Sequence, residues 1–120
     1  NEILFFRHQH PDATEYLIMD DSMLPFYLPG DYVCGIKRRA EQIETVLKKS
    51  CILELEAGKK IVRRIEEGSH PQRYNLHCSN PQHPQILHDV MLLSAAPIIW
   101  HRKKECFETE RREIHEKHQK

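Results

Sequence analysis

The stretch DDSMLPFYLPGD, Asp20 to Asp31, sets one serine between two aspartates and a methionine, then adds two prolines and a Gly-Asp. Pro25 and Pro29 fix φ and lack a backbone donor, and Gly30 allows a turn that other residues resist. The segment therefore predicts neither a regular helix nor an ordinary strand. A serine in such a place is ordinarily a turn residue. On that reading Met23 is a buried anchor, Pro25 and Pro29 stiffen the loop, and Asp31 binds backbone amides. The other reading is that the loop presents Ser22 for chemistry, and the flanking sequence must decide.

Outward from the loop the chain reads as short strands. Apolar runs at 3–6 and 16–19 predict two before and beside it, and DYVCGIK at 31–37 resumes an extended pattern after Pro29-Gly30. Ile43, Val46 and Leu47 stand at helical spacing and predict a short helix over 40–49. Residues 51–55, 61–65, 74–78, 90–93 and 97–100 read as further strands, with turns at Gly58-Lys59, Glu67-Gly68-Ser69 and Asn80-Pro81. Strands of about five residues with closely spaced turns predict a mainly β, antiparallel domain rather than alternating βαβ units. That domain is expected to span residues 1–100. Residues 101–120 are almost wholly charged or polar, with Trp100, Phe107 and Ile114 seven apart, and predict a charged C-terminal helix. One thin apolar stripe is too little for a freestanding coiled coil, so this helix is read as resting one edge on the domain.

Composition removes several functions. Lys plus Arg and Asp plus Glu both number 18, so there is no global cationic field to draw nucleic acid. No apolar run approaches the roughly 20 residues that span a bilayer. The chain opens on Asn1, which reads as a fragment or a processed product. Cys34, Cys51, Cys78 and Cys106 contain no C-x-x-C pair, and the first three lie in or beside strands. They read as small buried hydrophobes in a reducing, cytoplasmic compartment. Among nine histidines, His8 with His10 and His115 with His118 could each share a face, but neither pair has an evident third ligand. No metal and no cofactor are expected.

The order of motifs is more specific than any one of them. The string from Asp21 to Asp31 resembles the Ser-Met-x-Pro…Gly-Asp signature of the LexA-like self-cleaving repressors and their phage-repressor relatives; signal peptidases share a looser form. Val62-Arg63-Arg64-Ile65, about forty residues on, matches that family's lysine-bearing strand, and Glu67-Gly68 the turn after it. The segment 76–84 is similar to the family's strand followed by Asn-Pro, and 96–100 to its closing strand. The resemblance covers roughly residues 14 to 102. It implies an antiparallel LexA-like peptidase β-fold, with Ser22 at the nucleophile position and Met23, Pro25 and Asp31 in the loop presenting it.

Where that family has lysine, this chain has Arg63. A serine–lysine dyad needs an amine that can lose its proton, which burial makes attainable for lysine. A guanidinium has no acceptor lone pair and stays protonated, so Arg63 is expected to hold Ser22, or to pair with Asp20 or Asp21, without activating the hydroxyl. Lys59 shares a strand face with residue 63 but lies about 13 Å from it at about 3.3 Å per residue. Lys60 points to the other face unless a bulge near Gly58 turns it. His8, His10 and His77 have no spacing that supports them as bases. Self-cleaving relatives carry an Ala-Gly or Cys-Gly bond before the serine; here Cys34-Gly35 comes after it.

The resemblance and the arginine together imply a non-catalytic C-terminal domain of a transcriptional regulator. It would act as a homodimer, contact DNA through an upstream helix-turn-helix domain, and pair through strands within 90–100. A peptide segment or an anion in the Ser22 cleft is a further expectation. Two alternatives stay open: an active self-cleaving serine peptidase with an unidentified base such as Lys60 or a histidine, and a free-standing interaction module.

Overall fold

Eleven residues, Leu92–Arg102, form one continuous strand that joins the two halves of a single sheet. The computed structural model describes residues 10–103. In chain order the strands are β1 (Ala13–Leu17), β2 (Tyr32–Ile36), β3 (Ser50–Leu55), β4 (Lys60–Glu67), β5 (Tyr74–His77), β6 (Ile86–Val90) and β7 (Leu92–Arg102). They lie side by side in the order β1-β2-β7-β3-β4-β5-β6, every neighbouring pair antiparallel. β7 pairs with β2 from Ile98 to Arg102 and with β3 from Leu92 to Pro97. Ala95 donates its amide to Arg38, on β2's side of β7, so the amide Pro97 lacks would point the same way. That direction leads to the Cys34/Gly35 bulge, where the ladder is already irregular, and a proline is tolerated there.

The middle of the sheet is buried on both faces, which explains why Cys51-Ile52-Leu53 is apolar without alternation. Successive side chains go to opposite faces. Cys51, Leu53, Ile65, Leu76 and Ala95 enter one core, closed over by Ile43 and Val46 of a 3-10 helix, Ala40–Val46. Ile52, Val62 and Ala96 enter the other, with Ile18, Val33 and Met23. Met23, 1% exposed, plugs this second core from the loop that carries Ser22. Burying such a side chain is worth about 1.5–3 kcal/mol, enough to hold the loop down without regular secondary structure.

The mainly β, antiparallel expectation agrees with this sheet, and four details differ. The first described strand is 13–17 rather than 16–19, because Ile18 leaves the regular pairing to bond Gly30 and Asp31 at the mouth of the loop. The segment expected as a helix over 40–49 is the 3-10 helix Ala40–Val46, with Leu47 already extended, so the second half of the pattern is not helical. The strand expected at 97–100 is part of a longer one that begins at Leu92, and the strand expected at 90–93 is divided, since Val90 ends a separate strand, Ile86–Val90, that was not expected, while Leu92 and Leu93 open β7. Finally, His101 and Arg102 belong to β7 rather than to a C-terminal helix, since Cα pairing with Val33 and Tyr32 extends the ladder past residue 100. The strand expected at 3–6, His8, Cys106, His115, His118 and the helix expected beyond Lys103 lie outside the described residues. Among the described residues no helix is long and apolar enough to cross a membrane.

Candidate functional site

The geometry around Ser22 follows from which strand edges are left open. Leu55 donates its amide to Lys59, and Ile65 donates to Lys49. Odd-numbered residues of β4 therefore turn their peptide groups toward β3, and even-numbered ones turn theirs to the other edge. On that edge β5 pairs only from Arg64 onward, so the peptide groups of Val62 are left without a strand partner. Arg63 takes advantage of this gap. Its side chain turns round the open edge, and Nη1 donates to the Val62 carbonyl at 2.7 Å and to Ser22 Oγ at 2.8 Å.

Ser22 is almost fully buried, at 3% exposure. Its hydroxyl donates to Asp20 Oδ1 at 2.6 Å, and its amide donates to the same oxygen at 3.1 Å. Ser22 Oγ thus accepts from a permanent cation and donates to a carboxylate. Burial alone would raise the Asp20 carboxyl. The two hydrogen bonds from Ser22, with the nearby charges of Arg63 and His83, outweigh it and hold the group below its ordinary value. Tyr16, across the same small pocket, is shifted the other way: burial raises it, Asp20 adds to the rise, and Arg63 opposes. Tyr16, Ile18, Met19, Val62 and Met23 complete the lining, and the free space is about 10 Å³, room for about one water molecule.

The loop is braced from two sides. From the segment after β5, Asn80 donates its amide to the Ser22 carbonyl at 3.0 Å and its Nδ2 to the Asp21 carbonyl at 2.8 Å. Ser79 Oγ donates to the Leu24 carbonyl at 3.1 Å, and His83 Nε2 sits 2.7 Å from Asp21 Oδ1. From β7, His101 Nε2 lies 2.8 Å from Asp31 Oδ2, which also accepts the Leu28 amide at 2.9 Å. Asp31 is 2% exposed, and the His101 ring packs on Tyr27 with centroids 4.9 Å apart.

Ser22, Met23 and Arg63 are therefore brought to one small pocket, while Asp31, at the end of the same loop, is held by His101 and Leu28, and Pro25 is exposed on the loop. Lys60 is not brought there. It stays in register opposite Glu54, no bulge lies between it and Arg63, and its amine donates to Thr14 Oγ1 of β1 at 3.0 Å. A bulge near Gly58 that redirects Lys60 is excluded by that pairing. His77 pairs with Arg64 and Ile86 within the sheet. Among the described residues no group of three or more His, Cys, Asp and Glu could hold a metal ion. Tyr16, Asn80, His83 and His101 were not singled out as site residues. For Asn80 the Asn-Pro segment was a visible signal; for the other three nothing in sequence spacing points to the loop.

Chemically the arrangement holds a hydroxyl and does not deprotonate it. Arg63 cannot accept the proton, and a carboxylate held below its ordinary value is a weak base. The Ser22 amide, a natural donor to a developing oxyanion, is already committed to Asp20. Compared with protein families and with curated proteins, the chain matches no family model and no curated sequence.

Proposed function

We propose that this chain is a non-catalytic, LexA-like C-terminal domain of a transcriptional regulator, serving to pair two protomers of a protein that contacts DNA through a separate upstream domain. The observation that carries the reading is the Arg63–Ser22 contact at 2.8 Å: the position that must supply a neutral amine supplies a guanidinium. Order of motifs in sequence and the meeting of Ser22, Met23 and Arg63 at one pocket support the peptidase-type ancestry. Pairing matters physically because two linked headpieces on two half-sites bind far more tightly than either alone. The surface within 90–100 proposed for pairing carries the exposed side chains of Met91, Leu93 and Ile99. Localisation in the cytoplasm belongs to the same reading.

The test is self-cleavage of the full-length protein from pH 6 to 10, read on a gel, for wild type, Arg63→Lys, Ser22→Ala and the double variant. The expected result is an intact wild type and serine-dependent cleavage once Arg63 is lysine. Cleavage of wild type that Ser22→Ala abolishes would overturn the reading and call for a base elsewhere. Sedimentation of wild type against Leu93→Glu and Ile99→Glu tests the pairing surface; a dimer unaffected by both places it elsewhere.

A further inference from the structure

A second cleft lies between the 3-10 helix and the turn that joins β4 to β5. Its volume is about 270 Å³, just below the roughly 300 Å³ at which pockets for drug-sized ligands begin, and enough for one amino acid. The turn that walls it is fixed. Gly68 donates its amide to the Arg73 carbonyl at 2.9 Å, and Asp89 of β6 accepts the amide and the hydroxyl of Ser69 at 2.6 and 2.5 Å. A Cβ on Gly68 would lie 2.7 Å from that Asp89 carboxylate, so turn and strand are packed without slack. From the floor of the cleft the buried Tyr74 hydroxyl donates to Glu44 Oε1 at 3.1 Å and aims that carboxylate. Burial first, then Glu44, pushes Tyr74 up to about 12, so it stays a donor at neutral pH. Glu67 and Arg73 line the same cleft from the two ends of the turn. Their side chains form no hydrogen bond or ion pair among the described residues, with each other or with Glu44. His70 already has the Asp89 charge beside it. Two carboxylates and one guanidinium around a space of this size complement a molecule with two cationic groups and one carboxylate.

We infer that this cleft binds a free basic amino acid, with its α-carboxylate on Arg73, its α-ammonium on Glu67 and its side-chain cation on Glu44. Glu67 is paired with Tyr74, the residue after Arg73, so these two charges suit groups borne on one carbon, while Glu44 comes from the helix opposite. Arginine suits best, because a planar guanidinium pairs with a carboxylate through two parallel hydrogen bonds. Tyr74 belongs to the first core and the serine loop plugs the second, so the inference does not depend on the reading of Ser22.

The test titrates the full wild-type chain, followed by amide chemical shifts, with L-arginine and three relatives that each lack one charge. Agmatine has no carboxylate, L-citrulline has a urea in place of the guanidinium, and N-acetyl-L-arginine has no ammonium, as at the C-terminus of a peptide. L-Arginine is expected to bind at least tenfold more tightly than each, with the largest shifts at Gly68, Ser69 and Tyr74. Arg73→Gln is expected to remove the advantage over agmatine, Glu44→Gln that over citrulline, and Glu67→Gln that over N-acetyl-L-arginine. All three positions are exposed, so the variants keep the fold and their spectra stay comparable. No saturable shift by about 10 mM L-arginine would overturn the inference. So would equal affinity for the four compounds, shifts centred outside the cleft, or advantages that survive the three substitutions. N-acetyl-L-arginine binding as tightly as L-arginine would overturn the free amino acid in favour of a peptide terminus.

Discussion

Arg63 and Ser22 meet although strand alternation puts the Arg63 Cβ on the face of β4 that looks away from the Ser22 core. Arg63 pairs across from Cys51, whose side chain belongs to the other core. The contact exists because the guanidinium passes round an edge that β5 leaves open, anchored on the Val62 carbonyl at 2.7 Å. Removing it should be felt. Arg63→Ala deprives a buried hydroxyl of its donor and a carboxylate of its nearby charge, and is expected to cost about 1–3 kcal/mol in chemical denaturation. A midpoint within error of wild type would show the contact to be energetically idle.

Asp20 sets a pH dependence whose sign is determined. Its pKa is lowered in the folded chain, so folding favours the ionised form. The stabilisation it provides is complete above the unfolded value, about pH 4, and is lost as pH falls through the lower folded value. The difference in stability between wild type and Asp20→Asn should therefore be level from neutral pH down to about pH 4 and shrink toward pH 2. A difference that grows on acidification would contradict the assigned hydrogen bonds.

His101 ties the end of β7 to the turn that closes the serine loop. The acceptor, Asp31, is buried, so its partners matter more than at a surface. His101→Ala is expected to destabilise by about 1–3 kcal/mol, and His101→Gln, which retains a side-chain N–H, by less. Amide exchange offers the sharper view: the Leu28 and Asp31 amides, bonded within this turn, should lose protection in His101→Ala while Leu53 and Ile65 keep theirs.

Gly35 lies at the bulge where β2 meets β7. A Cβ there would fall inside contact distance of the Pro97 carbonyl and 3.1 Å from the Ala96 Cβ. Backbone cannot yield as a flexible side chain does, so Gly35→Ala is expected to cost about 1–3 kcal/mol by forcing the strands apart. Thermal unfolding checks this, and a neutral result would mean the bulge relaxes freely.

Much of the sheet was legible because its strands are short, apolar and separated by Gly- and Pro-bearing turns, a pattern that constrains each segment locally. Cys51 to Leu55 and Ile61 to Ile65 announced strands in this way, and the sheet order then put them near its middle. Segments whose fate depends on a distant partner were not legible. Ile86–Val90 carries mostly exposed side chains and becomes a strand by pairing with β5, and Leu47 ends a helical pattern because the next residues enter the ladder. His101 looked like the start of a charged helix until its pairing with β2 was known.

For the site the division has a plain physical cause. Residue chemistry is a local property, so the sequence alone determined that Arg63 has no lone pair with which to take a proton, and that Asp20 to Asp31 must be an irregular loop. Distance and direction are not local. Tertiary structure alone decided that Lys60 bonds Thr14, that Asp20 rather than Asp21 receives the Ser22 hydroxyl, and that Arg63 reaches that hydroxyl round an unpaired strand edge. Each depends on which backbone groups the sheet leaves unpaired, and that follows from how far β5 extends along β4, a relation between segments that no single stretch of sequence contains.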